Sequence, residues 1–135
     1  MGPKGKLFQK EYAFELLEIA EGDLESARGL ASIKKGRLEN ICYMAQQSAE
    51  KSLKAVLCYL GQVVILSHDI DAILSHIPES QHPPHAHQLG ALTEYSMIRR
   101  YEKGYEILTE HDIALALSMA ESTLAWAKSL VSPSS

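Results

Sequence analysis

Aromatic and cysteine residues are scarce in this sequence of 135 residues, of which 7% are aromatic and two are cysteine. So few aromatic side chains fit a helical core of small residues better than a β-sandwich. Cys42 and Cys58 lie in one predicted helix, where sixteen residues at roughly 1.5 Å each hold them about 24 Å apart. A disulfide between them is therefore excluded, and we expect two buried free thiols in a reducing compartment.

Long apolar runs and a signal sequence are also missing. No uncharged apolar stretch approaches the roughly 18 residues that a membrane span requires. The first ten residues lack the apolar core of a secretion signal. These absences predict a cytoplasmic protein with no membrane partner.

An excess of basic charge is absent, since 13 lysines and arginines face 17 acidic residues for a net charge of −4. This balance argues against a protein that coats nucleic acid by bulk charge, but it permits local basic patches. Basic residues cluster at 34–37, 51–54 and 99–103, whereas acidic residues are spread along the first predicted helix. The sequence has no glycine-rich phosphate loop, no Gly-x-Ser-x-Gly motif and no His-Glu-x-x-His motif. These absences leave serine and cysteine hydrolase chemistry without a specific signal in the sequence.

Helical periodicity dominates what is present, because apolar residues recur at three- and four-residue spacing in three long segments. The first predicted helix ends in the low thirties and the second spans residues 37–60, with Gly61 just beyond its end. Thr109 and Asp112 form a capping-box pattern at the start of the last helix. We predict an all-α, up-and-down bundle of four to five helices over residues 11–131.

Shorter elements are predicted between the second and last helices. Ser67 is the expected N-cap of a helix that Pro78 ends, and a fourth helix is predicted over residues 87–98. The apolar stretch 63–66 is too short to predict a strand. The segments 1–10 and 132–135 are predicted to be flexible.

The second helix has an unusual polar face. Gln46, Glu50 and Lys54 share a four-residue spacing and predict a ladder on the helix surface, in which Glu50 and Lys54 form a favourable ion pair. One interpretation is a solvated face, and the other is a polar groove for phosphate or for another subunit. The candidate residues are Gln46, Gln47, Glu50, Lys51 and Lys54.

Two further clusters are candidates for function. Arg99 and Arg100 precede Tyr101, and cations around an aromatic ring suit a phosphate or a stacked base. Five of the six histidines fall between His68 and His87, but the tract has prolines and no nearby cysteine, so we predict no metal site. His68 and Asp69 are either an acid–base pair or the start of a helix.

A family resemblance rests on the same residues. Residues 45–55 read Ala-Gln-Gln-Ser-Ala-Glu-Lys-Ser-Leu-Lys-Ala, and Leu60-Gly61 and Ser67-His68-Asp69 follow. This order resembles the signature of HEPN domains. The resemblance covers about residues 10–130, and its second half includes Arg100-Tyr101, Tyr105, Thr109-Glu110 and Ala125-Trp126-Ala127-Lys128.

The resemblance implies an up-and-down helical bundle, usually a homodimer, of bacterial or archaeal origin. We predict no cofactor. Many HEPN proteins are paired with a minimal nucleotidyltransferase, often as toxin and antitoxin. Others are thought to bind nucleotides or to cut RNA. Catalytic members carry an arginine followed four to six residues later by histidine, and none of the four arginines here has that spacing.

Two hypotheses follow from the resemblance and the missing motif. The first is a noncatalytic module that holds a nucleotide or a nucleotidyltransferase partner. The second is a divergent ribonuclease in which Arg99 or Arg100 meets a histidine such as His68 or His111 only in three dimensions. A small helical dimer without a ligand is the third interpretation. In the first hypothesis the residues that face the ligand are Lys51, Lys54, Arg99, Arg100 and Tyr101.

Overall fold

The fold is an all-α bundle, as the periodicity predicts. The computed structural model describes residues 4–34, 37–96 and 108–132. A two-stranded antiparallel sheet, β1 (Gly5–Lys6) and β2 (Val64–Ile65), accompanies the helices. In chain order the helices are α1 (Tyr12–Ile33), α2 (Leu38–Tyr59), α3 (Ile70–Leu74), α4 (Ala86–Leu89) and α5 (Glu110–Leu130).

The three long helices form the core, with α2 packed against both α1 and α5. Small inward residues let α1 and α2 approach closely, and the buried Ser48 hydroxyl donates to the Ala20 carbonyl at 2.7 Å. Exposed ion pairs of Arg28 with Glu121 and of Lys128 with Glu21 show that α1 and α5 run antiparallel. Within the described ranges, no helix combines the length and the apolarity that a bilayer span needs.

The ends of two long helices are set by local sequence. The predicted capping box forms, since Thr109 Oγ1 accepts from the Asp112 amide at 3.3 Å and Asp112 Oδ2 accepts from the Thr109 amide at 2.8 Å. Gly61 follows α2 with φ at 75°, a left-handed conformation that favours glycine. The Gly61 amide donates to Cys58 O at 3.1 Å and the Gln62 amide donates to Leu57 O at 2.9 Å. This Schellman motif ends α2.

The apolar stretch 63–66 contains a strand that the sequence does not predict. Val64 and Ile65 are buried and pair with Lys6 and Gly5, and the Leu66 amide donates to Lys4 O at 2.7 Å. The partner strand comes from the N-terminal segment that the sequence predicts to be flexible. Local patterns do not reveal the pairing because it joins two dipeptides that lie far apart in the chain.

The two short helices differ from their predictions. Asp69, and not Ser67, is the N-cap of α3, because its Oδ1 accepts from the amides of Asp71 and Ala72. The predicted helix over 87–98 is the single turn α4 followed by a 3-10 segment, Gly90–Ser96. A Cβ at Gly90 would meet the Asp71 carboxylate, so this close approach requires a glycine, which weakens the α-helix at that point.

Candidate ligand-binding site around Glu50

A buried polar cluster lies where the middle of α2 meets the loop after β2. We call it the Glu50 cluster, and its members are Gln46, Gln47, Glu50, Lys51, Lys54 and His68. The side chain of Glu50 has no exposed surface and Gln46 is fully buried. Lys54, counted as a whole residue, is 8% exposed. The prediction of a solvated surface ladder is therefore wrong for these three residues, because α2 is the central helix and the loop carrying His68 returns to this face.

Glu50 is the centre of the cluster because each of its carboxylate oxygens accepts two hydrogen bonds. Oε1 accepts from Gln46 Nε2 at 3.0 Å and from His68 Nδ1 at 2.9 Å. Oε2 accepts from Lys54 Nζ at 3.0 Å and from Lys51 Nζ at 3.4 Å. A carboxylate offers roughly four acceptor positions. Glu50 is therefore saturated, which suits a residue that orders its neighbours and does not suit a metal ligand or a catalytic base.

The charge state of Glu50 follows from its surroundings. Burial raises its pKa, but the charge of Lys54, the hydrogen bond from His68 and the charge of Lys51 together outweigh burial, so the pKa of Glu50 lies below its usual value. The carboxylate is ionised at neutral pH and can only accept hydrogen bonds. His68 Nδ1 must therefore carry its hydrogen, which leaves the lone pair of a neutral ring on Nε2.

The two glutamines extend the network toward the lysines. Gln47 Nε2 donates to Gln46 Oε1 at 2.6 Å, and Gln47 Oε1 accepts from Lys51 Nζ at 2.9 Å. Each amide orientation is fixed by these bonds, since the opposite orientation would face donor with donor. An ammonium has three N–H donors. Lys51 uses two of them inside the cluster and Lys54 uses one, so donors remain on both.

Asp23 of α1 is a neighbour of the cluster that the sequence does not reveal. Burial raises the pKa of Asp23, the charge of Lys51 lowers it and the charge of Glu50 raises it again, with a net increase. The sequence shows Asp23 only as one acidic residue among several on the first helix. Its place beside Lys51 depends on how α1 packs against α2, and no local pattern carries that information.

The remaining candidates lie elsewhere. Asp69 caps α3, which supports the interpretation of His68-Asp69 as a helix start. His111 is exposed in the first turn of α5. Arg99, Arg100 and Tyr101 fall outside the described residues, so their pairing with a histidine or a ligand stays a prediction.

The proline-rich histidine tract uses at least one imidazole for structure. His82 Nε2 lies 3.0 Å from Leu74 O and 2.9 Å from Ile77 O, so this nitrogen donates to carbonyls and is not free to bind a metal. Across the ranges 4–34, 37–96 and 108–132, no group of three or more His, Cys, Asp or Glu side chains is arranged to hold a metal ion.

Comparison with known proteins identifies the family. The model of the HEPN domain matches residues 13–130. The chain is similar to the crystal structure of TT1696 from Thermus thermophilus, with 28% identity, a TM-score of 0.73, and coverage of 87% of this chain and 96% of that one. It is also similar to ST0689, an archaeal HEPN homologue, with 26% identity, a TM-score of 0.70, and coverage of 93% and 100%. A search of curated proteins finds no significant match. The resemblance in the sequence is confirmed, and the chain belongs to the HEPN domain family.

Proposed function

We propose that this HEPN protein is a noncatalytic nucleotide-binding module whose phosphate site is formed by Lys51 and Lys54. The observation that carries the proposal is the convergence of both Nζ atoms on one oxygen of Glu50, at 3.4 Å and 3.0 Å. The two ammonium groups cannot be farther apart than the sum of these distances. Two positive charges thus converge on one carboxylate oxygen, and the Asp23 carboxyl beside Lys51 has a raised pKa, so a phosphate would add negative charge next to both ammonium groups.

The surroundings of the lysines favour a phosphate ligand. The side chains of Lys51 and Lys54 are only 23% and 11% exposed. Charge–charge interactions are stronger at such partly buried positions than in open water. Lysine is a common phosphate ligand because its N–H donors suit phosphate oxygens. The N–H donors that the cluster leaves unused on Lys51 and Lys54 are the groups that would contact the phosphate.

The direct test is a titration of the protein with ATP and with GTP while its thermal unfolding is followed. A ligand of the folded state raises the unfolding midpoint, and at 100 times its Kd it stabilises by about 2.7 kcal/mol. We expect a shift with at least one nucleotide at millimolar concentration. Lys51→Met should weaken the apparent affinity for the nucleotide at least tenfold and so reduce the midpoint shift, since it removes the ammonium of the more exposed lysine.

A matched control separates the site from bulk charge. Lys128→Met removes an equally positive side chain that pairs with Glu21 on the surface, away from the Glu50 cluster. This variant should retain the full nucleotide response. If neither nucleotide shifts the midpoint of the native protein, the nucleotide-binding function is wrong.

Assembly and partners belong to the same proposal. We propose a homodimer and a minimal nucleotidyltransferase partner, in a toxin–antitoxin pair, on the strength of HEPN membership alone. The absence of a nucleotide response would leave this protein-partner role as the surviving function. Mixing the purified chain with a minimal nucleotidyltransferase and measuring the mass of the complex by light scattering tests it.

A further inference from the structure

His68 joins an exposed ring to a buried carboxylate. Its side chain is 70% exposed, yet its Nδ1 atom is bonded to a carboxylate that has no exposed surface. Exposed side chains usually sample several rotamers, and fixing one costs conformational entropy. Here the buried, saturated carboxylate of Glu50 holds the ring in place. The conformational entropy of the ring is therefore lost on folding and not on ligand binding.

The direction of the hydrogen bond determines what the outer face of the ring offers. Because Glu50 accepts, Nδ1 is the donor, so a ring that carries one proton has Nε2 as an acceptor. Within the described ranges, no group hydrogen-bonds Nε2. The site therefore presents two kinds of group side by side, donors on the lysines and an acceptor on His68.

These two kinds of group select different parts of one ligand. Phosphate oxygens are acceptors at neutral pH and suit Lys51 and Lys54, but they cannot donate to Nε2. A neutral acceptor requires an O–H or N–H group on the ligand. Ribose hydroxyls provide such donors a few covalent bonds from the phosphate, whichever base the nucleotide carries.

We propose that His68 Nε2 accepts a hydrogen bond from a ribose hydroxyl of the bound nucleotide, with Glu50 as the residue that positions the ring. The inference rests on the proposed nucleotide-binding function and adds recognition of a sugar hydroxyl. A contact with the 2′-hydroxyl would select ribonucleotides over 2′-deoxynucleotides, and a contact with the 3′-hydroxyl would select against 3′-deoxynucleotides. In this arrangement Lys51 and Lys54 contact the phosphate, and His68 hydrogen-bonds the sugar.

The test is a calorimetric titration of the native protein and of His68→Ala with ATP, 2′-deoxy-ATP, 3′-deoxy-ATP and inorganic tripolyphosphate. One net hydrogen bond corresponds to about a three- to tenfold change in affinity. We expect the native protein to prefer ATP over one deoxy analogue by this factor. His68→Ala should lose that preference and should bind tripolyphosphate as the native protein does.

Three outcomes would overturn the inference. They are equal affinities for ATP and both deoxy analogues, an equal loss of ATP and tripolyphosphate binding in His68→Ala, or, when inosine triphosphate is titrated in the same way, a loss of affinity with inosine triphosphate that the deoxy analogues do not show. The last would assign the donor to the base amino group. If the native protein binds ATP and tripolyphosphate but binds the deoxy analogues equally well, only this inference is wrong. If it binds neither ATP nor tripolyphosphate, the proposed function itself is wrong.

The role of Glu50 has its own measurement. Nitrogen-15 NMR distinguishes an imidazole protonated on Nδ1 from one protonated on Nε2, and we expect the Nδ1–H form for His68 in the native protein. Glu50→Gln places an amide that can both donate and accept beside the ring, so the ring should show a mixture of tautomers and a reduced sugar preference. A native ring protonated on Nε2 would contradict the assignment.

Discussion

The Nδ1 atom of His68 lies 2.9 Å from Oε1 of Glu50, although 18 positions separate the two residues. One residue is in the central helix and the other is in the loop after β2. The bond joins the most deeply buried charge of the described chain to a side chain that solvent reaches. It therefore couples the stability of the fold to the geometry of the proposed binding site.

Removal of the Glu50 carboxylate should destabilise the fold strongly. Glu50→Ala leaves Lys51 and Lys54 without their counter-charge at positions with little access to water. Breaking a buried ion pair in this way costs about 3–5 kcal/mol. Urea unfolding measures the free energy of unfolding. The control is Glu18→Ala, because Glu18 is exposed on α1 and its loss should change that free energy by no more than about 0.5 kcal/mol.

The lowered pKa of Glu50 predicts a specific acid sensitivity. A carboxylate whose pKa is lower in the folded state than in the unfolded state stabilises the fold above its unfolded pKa, which is near 4.3. That contribution is lost as the pH falls from there toward the folded pKa. Unfolding measured between pH 7 and pH 3 should show the loss in the native protein, and the slope should be smaller in Glu50→Gln. Identical slopes would mean that Glu50 contributes no pH dependence.

Neutralising Asp23 should strengthen nucleotide binding. Its charge acts on Lys51 and opposes the attraction of a phosphate, so Asp23→Asn should lower the Kd for ATP by a few fold at low salt. Burial also raises the pKa of Asp23, which means that the fold disfavours its ionised form. The variant should therefore unfold at a higher temperature at pH 7 than the native protein. Glu25→Gln makes the same charge change at an exposed position of α1 and should alter neither quantity appreciably.

Alanine substitutions at two glycines should change the free energy of unfolding in opposite directions. Gly61 has φ at 75°, so Gly61→Ala forces a left-handed alanine and should cost about 1–2 kcal/mol. Gly29 lies within α1, and a Cβ there would meet nothing within 4 Å. Gly29→Ala should therefore stabilise by about 0.5–1 kcal/mol. Denaturant unfolding of both variants checks the pair, and a neutral Gly61→Ala would show that the Schellman motif is dispensable.

The cysteines should not react in the native protein. Both thiols are buried, and burial together with the charge of Asp112 raises the pKa of Cys42 to about 11. Burial also raises the pKa of Cys58. Because the thiolate is the reactive form, neither cysteine should react with a disulfide reagent at pH 8 until the protein is unfolded. Rapid reaction before unfolding would contradict this burial.

The sequence predicts the elements that local rules determine. The spacing of Leu16, Ala20 and Leu24, the capping box at Thr109 and the glycine at 61 each act within a few residues, and the structure confirms all of them. What the sequence does not predict requires distant contacts. Glu50 looks like a surface residue in its own helix, since four-residue spacing to Lys54 is typical of solvated faces.

The site shows the same division. Its residue types are predictable, because Gln46, Glu50 and Lys54 share a four-residue spacing on α2. Their burial is not predictable from the pattern, since it depends on α1, α5 and the returning loop. The contact between Glu50 and His68 depends on the turn at Gly61 and on the β1–β2 pairing, neither of which indicates a partner by spacing alone.

The pairing of Gly5 and Lys6 with β2 has a practical consequence for work on this protein. β2 ends three residues before His68, so the first strand anchors the base of the loop that presents the imidazole. A purification tag fused ahead of Gly5, or an expression plasmid that omits the first residues, acts on this anchor and should change the affinity of the proposed site although no residue of the Glu50 cluster is altered. Titrations should therefore use protein tagged after residue 132 and carrying an untouched N-terminal segment.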